Sequence, residues 1–190
     1  MRDITESRDL AVLAAVIADE KKGRDVRVID FEGKSALYDY VVIVSALSTR
    51  ETKAIAREID FVLKNFSTGR RIIQGMESGC WVLLDYGWIV VHVFAESDRA
   101  VLSKGLRPRN VSTSSNYRAF YNLEELWSDL PSVDLEGDPL AEELRREYLE
   151  FVRKDGSAES YSVSDTGASS VGDDEFEDGA LFDEDDSDPQ

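Results

Sequence analysis

Apolar and polar positions alternate along this chain in two periods, one helical and one strand-like. Leu10, Leu13, Ala14 and Ile17 follow helical spacing, with Ser7 placed to cap the helix and Lys21, Lys22 and Gly23 suited to its end. Residues 26–31 alternate as a half-buried strand, and 32–35 read as a turn. Residues 40–45 form a continuous apolar run, the signature of a strand covered on both faces. Ser48 and Glu51 have capping-box spacing, each supplying an acceptor to an orphan amide at a helix start. Ile55, Ile59, Val62, Leu63 and Phe66 then share one helix face.

A short strand at 71–73 and a loop between Gly75 and Gly79 lead into residues 81–94. This stretch reads as two strands folded back at Tyr86-Gly87, both rich in β-branched and aromatic residues. Asn122 and Glu125 have capping-box spacing for a short helix that Pro131 closes. Asp138 and Pro139 suit the cap and first position of a last helix, with Leu140, Leu144, Tyr148 and Phe151 or Val152 as its stripe. The order predicts an α/β fold: a mixed sheet of about five strands with helices packed on it.

Charge divides the chain. The net charge is −17, yet residues 1–130 hold nineteen acids and eighteen bases. Residues 131–154 hold seven acids and four bases, and residues 155–190 hold thirteen acids and no Lys or Arg. A domain over 1–130, a C-terminal helix over 131–154 and an acidic, disordered tail over 155–190 are expected, because the tail has too little apolar area to offset ordering. Residues 100–118 carry Lys104, Arg107, Arg109 and Arg118 without an acid and read as a basic surface loop. One cysteine excludes an internal disulfide and a four-cysteine zinc site. No apolar run approaches the roughly 20 residues of a membrane helix, and the polar N-terminus lacks a signal-peptide core. A cytoplasmic protein without a membrane partner is the simple expectation.

Candidate chemistry is sparse. His92, the only histidine, lies inside a strand and suits a structural hydrogen bond better than a general base. Cys80 and His92 are equidistant from Tyr86-Gly87, so a cross-hairpin pair is geometrically open, but no third residue orients it. Asp30, Asp39 and Asp85 sit at strand ends, where carboxylates either meet around a metal or bond turn amides. No phosphate-cradling or nucleophile-elbow motif occurs, so neither a cofactor nor a metal is called for. What remains is surface: strand alternation places Trp81, Leu83 and Asp85 on one face, either core or an exposed hot spot.

The run Asp25-Val26-Arg27-Val28-Ile29-Asp30-Phe31-Glu32-Gly33-Lys34-Ser35, followed by Tyr38-Asp39-Tyr40-Val41-Val42-Ile43, resembles the ribosomal silencing factor family, also called Iojap-like proteins. The segment from Ser45 to Arg50, the stretch Trp81-Val82-Leu83-Leu84-Asp85-Tyr86-Gly87 with Val90-Val91-His92-Val93-Phe94, and Phe120-Tyr121-Asn122-Leu123-Glu124-Glu125-Leu126-Trp127 are similar to it too. The resemblance covers about residues 8–130 without the basic loop. It implies a fold related to nucleotidyltransferases but lacking their catalytic motif. It further implies a non-enzymatic factor that binds ribosomal protein fourteen of the large subunit, blocks joining of the small subunit, lowers translation when nutrients run short, and often dimerises off the ribosome. The position matching Trp81 lies in that contact, and Leu83 and Asp85 join it by strand alternation. Trp88 stands where the family commonly has an acid. Lys104, Arg107, Arg109 and Arg118 are candidates for ribosomal RNA contact, the alternative being a mobile loop neutralised by the acidic tail. The alternative reading is a nucleotidyltransferase-like enzyme, on fold analogy alone.

Overall fold

The longer strand segments assemble into one sheet because each alternates or is apolar throughout, and each buries at least one face. The fold is taken from a computed structural model, which describes residue 4 and residues 6–31, 33–66, 71–96 and 123–158. In chain order the elements are α1 (Ser7–Glu20), β1 (Arg24–Asp30), β2 (Tyr40–Ala46), α2 (Thr49–Leu63), β3 (Ile72–Gln74), β4 (Trp81–Asp85), β5 (Ile89–Ala95), α3 (Leu123–Leu126), β6 (Ser132–Val133) and α4 (Pro139–Asp155). The sheet runs β3-β4-β5-β2-β1-β6. Only β2 and β5 pair in parallel, in the register Tyr40 with Ile89 to Ala46 with Ala95; the other pairs are antiparallel. The mixed sheet is as expected, with six strands among the described residues where about five were expected. The addition is β6, two residues against Val28 and Ile29 directly after Pro131, too short to leave a pattern in the sequence.

Helix α1 is apolar on every side from Ala11 to Ala18, and all eight residues are buried. A helix apolar all round must be covered all round. It lies on β1, β2 and β5, with α2 beside it and α4 across it. Ser7 is not its cap: Glu6 holds that position, with no side-chain hydrogen bond. Helix α2 starts at Ser48, whose Oγ accepts from the Glu51 amide at 3.3 Å. The Glu51 carboxylate accepts from Leu47, one residue earlier than the reciprocal box requires, at 3.0 Å. Helix α4 begins as expected, with Asp138 Oδ1 accepting from the Leu140 amide at 2.9 Å and Pro139 opening the helix.

One fully buried charge ties the helical layer together. Glu58 of α2 accepts from the Tyr148 hydroxyl and from the Ala158 amide, both at 2.9 Å, with the Lys21 ammonium 3.5 Å away. A buried carboxylate is tolerated only with such partners, so α4 and the residues after it are locked to α2. The main core lies here, between the helices and the sheet face formed by Val28, Val42, Val44, Val82, Leu84, Ile89, Val91 and Val93.

Candidate functional site

Among the described residues, the other face of the sheet is covered only in part. Ile29, Val41, Ile43, Val90 and Phe94 rise from it and meet Phe31 and Leu123, with Tyr38, Trp81, Leu83, Trp127 and Leu130 partly buried around them. This covering builds a groove of about 400 Å³. One wall is β4, through Leu83 and Asp85; the floor is Val41, Val90 and His92; the far wall is Leu37, Tyr38 and Trp127.

Local chemistry fixes each wall. Ser35 Oγ accepts from the amides of Leu37 and Tyr38 at 3.1 and 3.3 Å, which sets the turn before β2. The Phe31 ring meets Tyr38 edge-on at 4.9 Å and Trp127 at 5.4 Å, holding both aromatics upright. Gly87, at a φ of 85°, turns the hairpin, and Asp85 Oδ1 accepts from its amide at 2.8 Å. Gly75 positions the entry to β4: a Cβ there would stand 1.9 Å from the Trp81 carbonyl oxygen.

Trp81 is neither plain core nor a free surface residue. Its face of β4 is half-buried, while Val82 and Leu84 are fully buried. The indole stacks on Phe94 at 5.4 Å and on His92 at 5.6 Å, and its Nε1 donates to His92 Nδ1 at 3.1 Å. Phe94 stands directly opposite Trp81 in the antiparallel pair, and His92 is the diagonal neighbour that an aromatic side chain also reaches. Of the three residues brought together by alternation, Leu83 and Asp85 line the groove, and Trp81 stands just past Leu83 on the same strand face.

His92 is buried, and burial lowers its pKa to about 4, against a smaller opposing pull from the Glu124 carboxylate. The imidazole is therefore neutral near pH 7, with its proton on Nε2 and Nδ1 occupied by Trp81. That is a structural acceptor, as its strand position suggested. The Cys80 pairing does not form. The turn is centred later than Tyr86-Gly87, so Asp85 faces Val90, Leu83 faces His92, and Cys80 bonds Ala95 across the hairpin. Among the described residues no three His, Cys, Asp or Glu side chains are grouped to hold a metal ion, and no helix is long and apolar enough to cross a membrane.

Leu37, Tyr38, Val90 and Trp127 belong to the groove and were not singled out as site residues from the sequence. The one signal was an apolar Leu37 within a turn; it is 75% exposed. Trp88 is 66% exposed at the hairpin tip, while its carbonyl accepts from the amides of Asp39 and Tyr40. Lys104, Arg107, Arg109 and Arg118 lie outside the described residues. A larger cleft, about 630 Å³, lies at the β1–β6 edge. It is polar, and its Arg145 is clamped by Asp19, at 2.8 Å, and by Glu20. Apolar, half-open and rigidly walled, the β4–β5 groove is the surface suited to docking a partner.

Comparison with known proteins gives one consistent result. A family model described as "Ribosomal silencing factor during starvation" matches residues 4–103. The chain is 33% identical over 131 residues to "Ribosomal silencing factor RsfS" of Halalkalibacterium halodurans, covering 69% of this chain and 96% of that protein. It is 32% identical to the protein of the same name from Bacillus subtilis, covering 68% and 93%. A crystal structure of a Chromobacterium violaceum protein superposes with a TM-score of 0.50 at 28% identity, covering 65% of this chain and 88% of that one.

Proposed function

The chain belongs to the ribosomal silencing factor family, and on that premise we propose that it binds the large ribosomal subunit and blocks its association with the small subunit. In this reading it is a non-enzymatic repressor of translation under nutrient limitation. It docks on ribosomal protein fourteen through the β4–β5 groove and the adjoining Trp81 face. One observation carries the reading: an apolar groove, with Asp85 as the only acidic residue among the described residues that line it, lies on the sheet face that the described elements cover in part. It suits an apolar anchor with a cation beside it. His92, held neutral and bonded to Trp81, props the indole in place.

Sedimentation of purified subunits with added protein is the test. The native chain should comigrate with the large subunit and reduce joined ribosomes; normal joining at equimolar protein sinks the reading. Leu83→Glu puts a charge into the groove from a half-exposed position and should abolish binding with the fold intact. Trp81→Glu is a poorer probe, because it also buries a charge against Phe94 and His92. Residues 100–118 are proposed to touch ribosomal RNA through Lys104, Arg107, Arg109 and Arg118. If they do, deleting the loop flattens the salt dependence of large-subunit affinity by about one log–log slope unit per lost phosphate contact. An unchanged slope rejects that contact.

A further inference from the structure

The outer face of α2 is a stretch of surface whose charge the described fold leaves unbalanced. The buried positions of this helix run from Thr52 to Leu63 on one side. At about 100° per residue, Arg50, Lys53, Arg57 and Lys64 fall together on the opposite side. Arg50, Arg57 and Lys64 are exposed and seven residues apart, a line of cations along roughly 20 Å of helix. The acids of α2 are turned elsewhere: Glu51 accepts from Leu47, Glu58 is buried, and Asp60 is held by Arg71 Nε at 2.6 Å. Among the described residues Arg50 and Arg57 form no ion pair. Lys53 donates to the Glu77 carbonyl at 2.6 Å, and the Lys64 ammonium rests 4.7 Å from the Phe61 ring centre.

The chain leaves the described fold beside this helix. Ala158 donates its amide to Glu58 of α2, and residues 159–190 follow with twelve acids and no Lys or Arg. Ten of those acids fall between Asp173 and Asp188. About fifteen residues separate Ala158 from Asp173, and a chain of that length can reach beyond the roughly 20 Å of the cationic line. Such a tether gives an effective concentration in the millimolar range.

We propose that the acidic tail, residues 159–190, docks back along the outer face of α2 and neutralises Arg50, Arg57 and Lys64. Each exposed pair is weak and screened by salt, so the cover is held by many exchanging carboxylates. Any other polyanion reaching this face must compete with it.

A spin label on the full chain tests this directly. Cys80→Ala removes the native thiol, and Ser187→Cys carries a nitroxide. At roughly 20 mM salt the amide signals of residues 50–64 should fall to about half, and should recover at about 0.5 M salt, where the screening length is a few ångströms. Arg50→Glu with Arg57→Glu and Lys64→Glu should abolish the broadening. A 20-residue oligouridylate added at low salt should relieve it. Broadening absent from α2, centred instead on residues 100–118, unchanged by salt, or seen only between mixed labelled and unlabelled molecules overturns the proposal.

Discussion

The two faces of the sheet are made from the same three central strands and end in opposite states. On the helical face Val42, Val44, Val91 and Val93 are sealed under α1 and α2, and α4 closes the layer with the Glu58–Tyr148 hydrogen bond. On the other face the described residues that meet Val41, Val90 and Phe94 belong to turns, the short helix α3 and aromatic side chains, and among them a groove is left. Apolar content does not separate the two faces; the length of the covering elements does. Helices of fourteen and fifteen residues, α1 and α2, each cover three strands, whereas α3 has four residues and covers a corner. The first face is therefore where stability resides, and the second is where a partner can be accommodated.

Substitutions should separate these roles, and the largest effect is expected on the sealed side. Ile59→Ala opens a cavity beneath α2 and should cost about 3 kcal/mol of unfolding free energy in urea titrations, while the surviving folded fraction still binds large subunits. A loss of binding per folded molecule would break the division. Acid titration comes next. His92 is held neutral in the fold with a pKa of about 4, whereas the unfolded chain takes up that proton near 6.5. Between those values the unfolded state binds more protons, so stability rises with pH, is complete above about 6.5, and is lost as pH falls toward 4. The loss is about 3 kcal/mol at most. His92→Gln keeps an acceptor for Trp81 and cannot titrate, so the difference between the two pH profiles isolates it. Parallel profiles would show that the imidazole is not desolvated.

Tyr148→Phe leaves Glu58 buried with one donor fewer and should cost about 2 kcal/mol, read as a lower midpoint at unchanged slope. The smallest change in stability belongs to the open side. Leu83→Glu should shift unfolding by less than about 1 kcal/mol and yet lower large-subunit affinity by more than tenfold. Should it unfold the chain instead, the groove is core and the comparison fails.

Elements governed by near neighbours were legible in the chain. The helix start at Ser48, the Asp138-Pro139 start of α4, the hairpin around Tyr86-Gly87 and the two-sided burial of β2 each follow from residues within a few positions of one another. The Cys80–His92 geometry was misjudged because the hairpin register depends on where the turn is centred, and a shift of one or two residues changes every partner. For the site, alternation put Trp81, Leu83 and Asp85 on one face but said nothing of what stands opposite. Tyr38 and Trp127 arrive there from distant segments through contacts with Phe31, and Leu37 comes with Tyr38.

The sequence by itself determined the periods, the caps at Ser48 and Asp138, the mixed sheet and the family. Those depend on local backbone preference and on the order of apolar residues. Only the tertiary structure decided that Trp81 is half-buried against His92, that Glu58 anchors α4, that β6 exists, and that the described elements leave a groove on one sheet face. Each of these turns on which distant element supplies the missing cover or hydrogen-bond partner, and neither burial nor a hydrogen bond is complete until both sides are in place.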